Sequence, residues 1–243
     1  MIDCPHDCFI FCTIGTHKGG DMRKTAILLI LISLFSVQLL TRTHKNFDKM
    51  ISYYLLDDID MANAEFRIYF DKFIDSQLRR AYSLLFKGER EEAYESFFNY
   101  LQLKPRSVEG LIGFALSDSG KVTATISNLK KAARLDGSSL IAFLALGYEY
   151  LKQLNYQESE NYFNSATSRS GLLEFRIVQS FLYKKTGQPD KIINLLKGEF
   201  QNNQTNFYVN YLLGTAYFMK NNLNEMTKHL DLLNGTGKNK VKA

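Results

Sequence analysis

The chain has 243 residues, of which 45% are hydrophobic and 23% charged, with three cysteines, no tryptophan and a formal net charge of +5. The excess charge sits at the ends: residues 1–45 hold five Lys/Arg against three Asp/Glu, and the tail adds Lys238, Lys240 and Lys242. Residues 46–237 hold 22 of each sign, so the body lacks the clustered cations that neutralise phosphates, and no nucleic-acid partner is expected.

All three cysteines, Cys4, Cys8 and Cys12, precede Met22, with His6 and His17 nearby. Their spacing does not match the paired Cys-x-x-Cys of zinc ribbons and knuckles, and no metal site is assigned to them. Lys18-Gly19-Gly20-Asp21 is what a ribosome-binding sequence encodes when read in frame ahead of a start codon. Translation is therefore expected to begin at Met22, with residues 1–21 an untranslated or disordered extension. From Met22 the chain reads Met-Arg-Lys-Thr, then fifteen uncharged, mostly apolar residues, Ala26 to Leu40, before Thr41-Arg42. A basic start and a short apolar run form an export signal. No Ala-x-Ala cleavage site follows, and the run is short of the about 20 residues that span a bilayer. Residues 22–45 are read as a signal peptide or a signal anchor, with both left open.

Residues 46–73 place Phe47, Met50, Tyr53 and Tyr54, then Ala62, Phe66, Tyr69 and Phe73, in a pattern that predicts a helical pair, either an N-terminal cap or a degenerate repeat. Behind it a small residue recurs. Ala81, Gly113, Gly147, Ser180 and Gly214 lie 32, 34, 33 and 34 residues apart, the period of a helical solenoid. Small residues are needed where two helices cross closely; Gly in a helix interior otherwise costs about 1 kcal/mol against Ala. Three positions after each comes a large residue, Leu84, Leu116, Tyr150, Tyr183 and Tyr217, one turn along the same face. The following helices repeat the device in i, i+4 pairs: Ala93 and Phe97, Thr125 and Leu129, Ser159 and Phe163, Ile192 and Leu196, Met226 and Leu230.

Gly88, Gly120, Gly187 and Asn221 fall where each first helix must end in a left-handed residue. The third unit has Leu154 at that phase and Asn155 next, so its turn is expected to differ by a residue. The units are placed at 74–105, 106–139, 140–172, 173–206 and 207–237, followed by a basic tail, 238–243. No capping helix is expected between the last unit and the basic tail. Its second helix is expected to expose an apolar stripe through Leu223, Met226, Leu230 and Leu233 that packs against a second copy or a partner.

The third unit spells the pattern most fully, with Phe143, Leu146-Gly147 and Tyr150, then Ser159 and Phe163 after the turn. It resembles a tetratricopeptide repeat. The resemblance runs over about 165 residues and is weakest in the fourth unit, where Arg176, Gln179 and Glu199 take normally apolar places. It implies an all-α superhelix of helix-turn-helix repeats whose first helices line a concave groove. The residues after each small one, Tyr82, Phe114, Tyr148, Phe181 and Thr215, are then expected to face that groove. The resulting peptide-binding groove comprises Leu78, Tyr82, Phe114, Leu144, Tyr148, Lys152, Ile177, Phe181, Lys184, Lys185, Tyr211 and Phe218, although packing between units uses some of the same face. Repeats of the family that clamp an acidic chaperone tail carry Lys and Asn at these places. Here Leu78, Tyr82, Gly110, Phe114, Leu144 and Tyr148 stand there instead, so that role is not expected. Lys152, Lys184 and Lys185 give the later half of the groove a positive charge suited to an acidic or phosphorylated segment.

The chain has no phosphate-cradling Gly-rich loop, no Gly-x-Ser-x-Gly and no His-Glu-x-x-His. The single histidine past residue 44, His229, is expected on a solvated helix face. No catalytic residue, cofactor or metal is assigned. The expected function is a non-catalytic protein-interaction scaffold with a protein or peptide partner. Abundant Asn, Lys, Ile, Phe and Tyr together with the export signal suggest a bacterial envelope, with the protein periplasmic or anchored in the inner membrane through residues 22–45 and the repeats outside the cytoplasm. An adaptor or regulatory subunit of a membrane enzyme complex is the alternative.

Overall fold

The computed structural model describes residues 45–71, 75–118, 122–137 and 139–236, and every regular element among them is a helix. The extension 1–21, the signal segment up to residue 44, Phe73, Gly120 and the tail 238–243 lie outside the described residues. Helix α1 covers 45–55. It is followed by α2 (Ile59–Phe70), α3 (Ser76–Phe86), α4 (Arg90–Leu103), α5 (Val108–Ser117), α6 (Val122–Leu135), α7 (Leu140–Lys152), α8 (Tyr156–Thr167), α9 (Leu173–Lys185), α10 (Pro189–Asn202), α11 (Phe207–Met219) and α12 (Leu223–Thr236). No helix among the described residues is long and apolar enough to cross a membrane.

Helices from α2 onward pack against their chain neighbours, and odd-numbered helices also meet one another, α3 with α5, α7 with α9 and α9 with α11. Odd helices thus form the inner layer of a curved stack and even helices the outer one. Local sequence sets where each helix starts. The side chains of Asp58, Asp75, Ser107, Asn155 and Asn206 accept from the backbone amides of Met61, Leu78, Gly110, Glu158 and Val209, each cap contributing about 1 kcal/mol. Pro189 occupies the first turn of α10, where its missing N–H is not needed.

The turns inside the hairpins share one geometry. Gly88, Leu154, Gly187 and Asn221 are left-handed, with φ of 82°, 60°, 69° and 55°. Each following amide donates to the carbonyl five residues back: Glu89 to Leu84, Asn155 to Tyr150, Gln188 to Tyr183 and Asn222 to Tyr217, at 2.9–3.0 Å. These bonds satisfy carbonyls that the helix end leaves orphaned. The third turn therefore does not differ by a residue. Leu154 takes the left-handed place itself, leaving Asn155 to cap α8. Its side chain is 57% exposed, so little packing compensates a backbone conformation that costs a non-glycine residue about 1 kcal/mol.

Close crossings fall where the small residues do, but not all between the same partners. A Cβ on Gly147 would lie 2.6 Å from the ring of Phe163, in the second helix of the same unit; a Cβ on Gly113 would lie 2.2 Å from Phe97, in the second helix of the preceding one. The Ser159 hydroxyl donates to the Gly147 carbonyl at 2.8 Å, pinning α7 to α8, and the rings of Tyr150 and Tyr162 stack 5.4 Å apart beside it.

The polar departures in the fourth unit are paired. Arg176 forms an ion pair with Glu199 across α9 and α10. Gln179, buried, accepts from Thr167 and donates to Asn164 and Tyr183. His229 is not on a solvated face: it is 2% exposed, stacks on Tyr217 at 5.6 Å and bonds Asn210 at 2.9 Å. Burial holds its imidazole below the usual histidine range, favouring the neutral ring. Leu223 and Leu230, two turns apart on α12, are 55% and 43% exposed.

Two substitutions test these contacts by urea denaturation. Leu154→Gly should raise the unfolding free energy by about 1 kcal/mol, because it relieves the left-handed strain without uncovering core. Gly147→Leu should lower it by about 1–3 kcal/mol, since Phe163 and the backbone of α8 must move aside; wild-type stability would place the tight crossing elsewhere.

Candidate functional site

The inner face of the stack is already partly filled, by α1. No residue from 46 to 56 is exposed, and Phe47, Met50, Ile51, Ser52 and Leu55 are buried. From 46 to 55 the helix has no fully exposed face, unlike an ordinary amphipathic surface helix. Its contacts run along the inner layer. Phe47 meets Tyr82 of α3 edge-on at 5.8 Å, and Tyr54 meets Phe86 at 5.5 Å. Farther along, Lys49 lies 3.3 Å from the carboxylate of Glu174 at the start of α9, and the Tyr53 hydroxyl donates to the same oxygen at 3.1 Å. The turn after α1 reaches α11, where the Tyr208 hydroxyl donates to Asp58 at 2.7 Å.

This occupancy changes the sequence-derived groove. Leu78, Tyr82, Leu144 and Ile177 are at most 1% exposed and belong to the core rather than to a ligand surface. Tyr82 packs between Phe47 and Phe97, with its hydroxyl donating to the Glu109 carbonyl at 2.8 Å. Phe114 turns toward the outer layer, 4.5 Å from Tyr94 and 6.4 Å from Phe98 of α4, so it is packing between units. Phe218 is 64% exposed at the end of α11.

The remaining predicted residues, apart from Tyr211, come together. Tyr148, Lys152, Phe181, Lys184 and Lys185 line a cavity of about 490 Å³ with Leu151 of α7, Val178 of α9, and Leu55, Leu56 and Asp57 from the end of α1. A second cavity of about 560 Å³ on the other side of the α1 end shares Leu55, Asp57, Tyr148 and Lys152, and is bounded by Arg90, Asp118 and Glu149. Lys152 bonds both carboxylate oxygens of the buried Glu149 at 3.0 Å. Lys184 bonds the Tyr211 hydroxyl and sits 4.7 Å from the centre of that ring and 5.7 Å from that of Phe181, a cation–π arrangement.

Asp48, Lys49, Tyr53 and Glu174 were not among the sequence-derived site residues. A signal was present: apolar or aromatic residues at 47, 50, 51, 53, 54, 55 and 56 wrap most of the way round a helix, the pattern of a segment surrounded by protein. No group of three or more His, Cys, Asp or Glu among the described residues is arranged to hold a metal ion.

Helix hairpins stacked at a period near 33 residues, with an inner layer of first helices, define an α-helical repeat superhelix. Solved structures place it more closely: the chain has the fold of tetratricopeptide repeat proteins. A tetratricopeptide repeat protein from Parabacteroides merdae superposes with a TM-score of 0.56 at 13% identity, covering 81% of each chain. MamA gives 0.56 at 21% identity over 70% of this chain and 99% of its own. A thermophilic tetratricopeptide repeat protein of Thermus thermophilus gives 0.55 at 16% identity over 72% and 99%. No family model and no curated protein matches the sequence.

The seating of α1 carries a pH dependence. The Asp48 carboxyl is pushed up to about 7, first by burial and then by the charges of Asp136 and Glu109 on the repeats. Docked α1 thus holds its proton more tightly than a free carboxyl with the ordinary value of 3.8. The stabilisation is complete below that ordinary value and is lost as pH rises toward 7. Amide exchange across 46–55, corrected for intrinsic rates, should show less protection at pH 8 than at pH 5, and Asp48→Asn should flatten the difference.

Proposed function

We propose that the chain is a non-catalytic protein-interaction scaffold whose concave surface receives a helical segment of a partner protein. The observation that carries this reading is α1 itself: the inner layer already holds a helix, by aromatic contacts with α3 and a Lys–Glu–Tyr cluster with α9. Helix-in-groove recognition uses such an apolar face with a few polar anchors. Tyr148, Lys152, Phe181, Lys184 and Lys185 are the groove residues assigned to the partner, with Tyr211 and Phe218 at the outer edge. Leu223 and Leu230, exposed on α12, offer a further contact surface for a second copy or the same partner. The basic and apolar segment 22–45 supports an envelope location with the repeats outside the cytoplasm.

Affinity capture from solubilised membranes tests the reading with two variants. Glu174→Ala unlatches α1 and should raise recovery of the partner severalfold. The double variant Tyr148→Ala, Phe181→Ala should reduce recovery to background while circular dichroism keeps its helical signal. Equal recovery from both variants and the wild type would move the binding surface away from the concave side.

A further inference from the structure

With α1 seated, the cavity beside its end has a marked polarity. Along α9 it is lined first by Val178 and Phe181, then by Lys184 and Lys185 in the last turn; along α7 first by Tyr148 and Leu151, then by Lys152. At the end of α1, Leu55 and Leu56 precede Asp57 in the same way. The apolar wall therefore lies inward along the helices and the charges gather at one mouth.

Charge at that mouth is unbalanced. Lys152 is matched by Glu149. Among the described residues, neither Lys184 nor Lys185 has a carboxylate within 4.0 Å, and Lys184 is held by aromatic rings and a neutral hydroxyl instead. Lysines in a last helical turn complement the helix dipole, but that does not account for two of them facing one largely apolar cavity with neither in an ion pair and one acid, Asp57, among its lining residues. Size selects the ligand class. A helix is about 10 Å across and does not enter a space of about 490 Å³ beside α1, whereas small-molecule sites run from about 300 to 1,000 Å³ with mostly apolar walls and few polar groups. Asp57 at the rim disfavours a doubly charged head.

We propose that this cavity binds an amphipathic monocarboxylate of the fatty-acid type, its acyl chain along Leu55, Leu151 and Val178 and its carboxylate between Lys184 and Lys185. The ligand takes its place while α1 is docked, so it is distinct from the partner helix, which needs α1 to leave. Its head is recognised by charge, and its tail by length.

Isothermal titration of the full chain with sodium dodecanoate, below micelle formation, tests the site. Saturable one-to-one binding is expected. Decanoate should bind about fifteenfold more weakly, from the loss of two buried methylenes. Methyl dodecanoate, which keeps the tail and loses the charge, should bind at least tenfold more weakly, as should dodecanoate to the double variant Lys184→Gln, Lys185→Gln. Both lysine positions are at the surface of a helix end, and an unchanged melting curve checks that the variant is folded. Absence of saturation, equal affinity for acid and ester, or an unaffected lysine variant would each overturn the proposal. Binding of an acidic leucine-rich pentapeptide in place of dodecanoate would likewise overturn it and assign the cavity to a protein segment. None of these outcomes depends on the capture experiment with Glu174→Ala, so the two readings stand or fall separately.

Discussion

Close approach of paired helices is the constraint on which the rest depends. Where Gly147 meets Phe163 and Gly113 meets Phe97, an aromatic ring occupies the space a side chain would fill. The helix backbones are thereby held close, and the hydroxyl of Ser159 can reach a main-chain carbonyl. Repeating that contact at nearly constant spacing leaves each hairpin rotated slightly on the one before. The accumulated rotation curves the stack and gives it an inner face. Because Gly113 contacts the preceding unit and Gly147 its own, the same small position serves both to close a hairpin and to join two of them.

Curvature creates a surface that must be covered or used. Open aromatic grooves are costly in water, and this chain covers much of its groove with α1. The helix has aromatic contacts to α3 at both its start and its end, while Glu174, 7% exposed, is met among the described residues by Lys49 and Tyr53 of α1 together. A buried carboxylate left without those partners is strongly disfavoured, so the cluster both fixes the register of α1 and penalises its departure. Asp48 opposes it: burial, and then the negative charges of Asp136 and Glu109, disfavour its ionised carboxylate. The seat of α1 is therefore a balance between a favourable ion cluster at Glu174 and the cost of burying the Asp48 carboxylate.

Both proposed readings rest on what the covered groove leaves. The unsealed part lies beside the end of α1, and it collects Lys152, Lys184 and Lys185 with the apolar walls of α7 and α9. Scaffold and small-ligand readings concern the same inner layer in two occupancies, one with α1 displaced and one with α1 in place.

The sequence by itself determined the repeat. Period, small positions, i, i+4 pairs and capping residues are local properties, and each acts within a hairpin or between adjacent hairpins, so they can be read in order along the chain. Local sequence also marked Tyr148, Phe181 and the three lysines, because their phase relative to the small residues fixes the side of the helix they leave from. Only the tertiary structure decided that Tyr82, Leu78, Leu144 and Ile177 are interior, that Leu154 carries a left-handed turn, and that His229 is buried against Tyr217. The largest of these decisions, the placement of α1, joins residues as far apart as Tyr53 and Glu174 or Asp58 and Tyr208. Such contacts depend on how far the whole stack curves, a quantity summed over all units and carried by no single one of them.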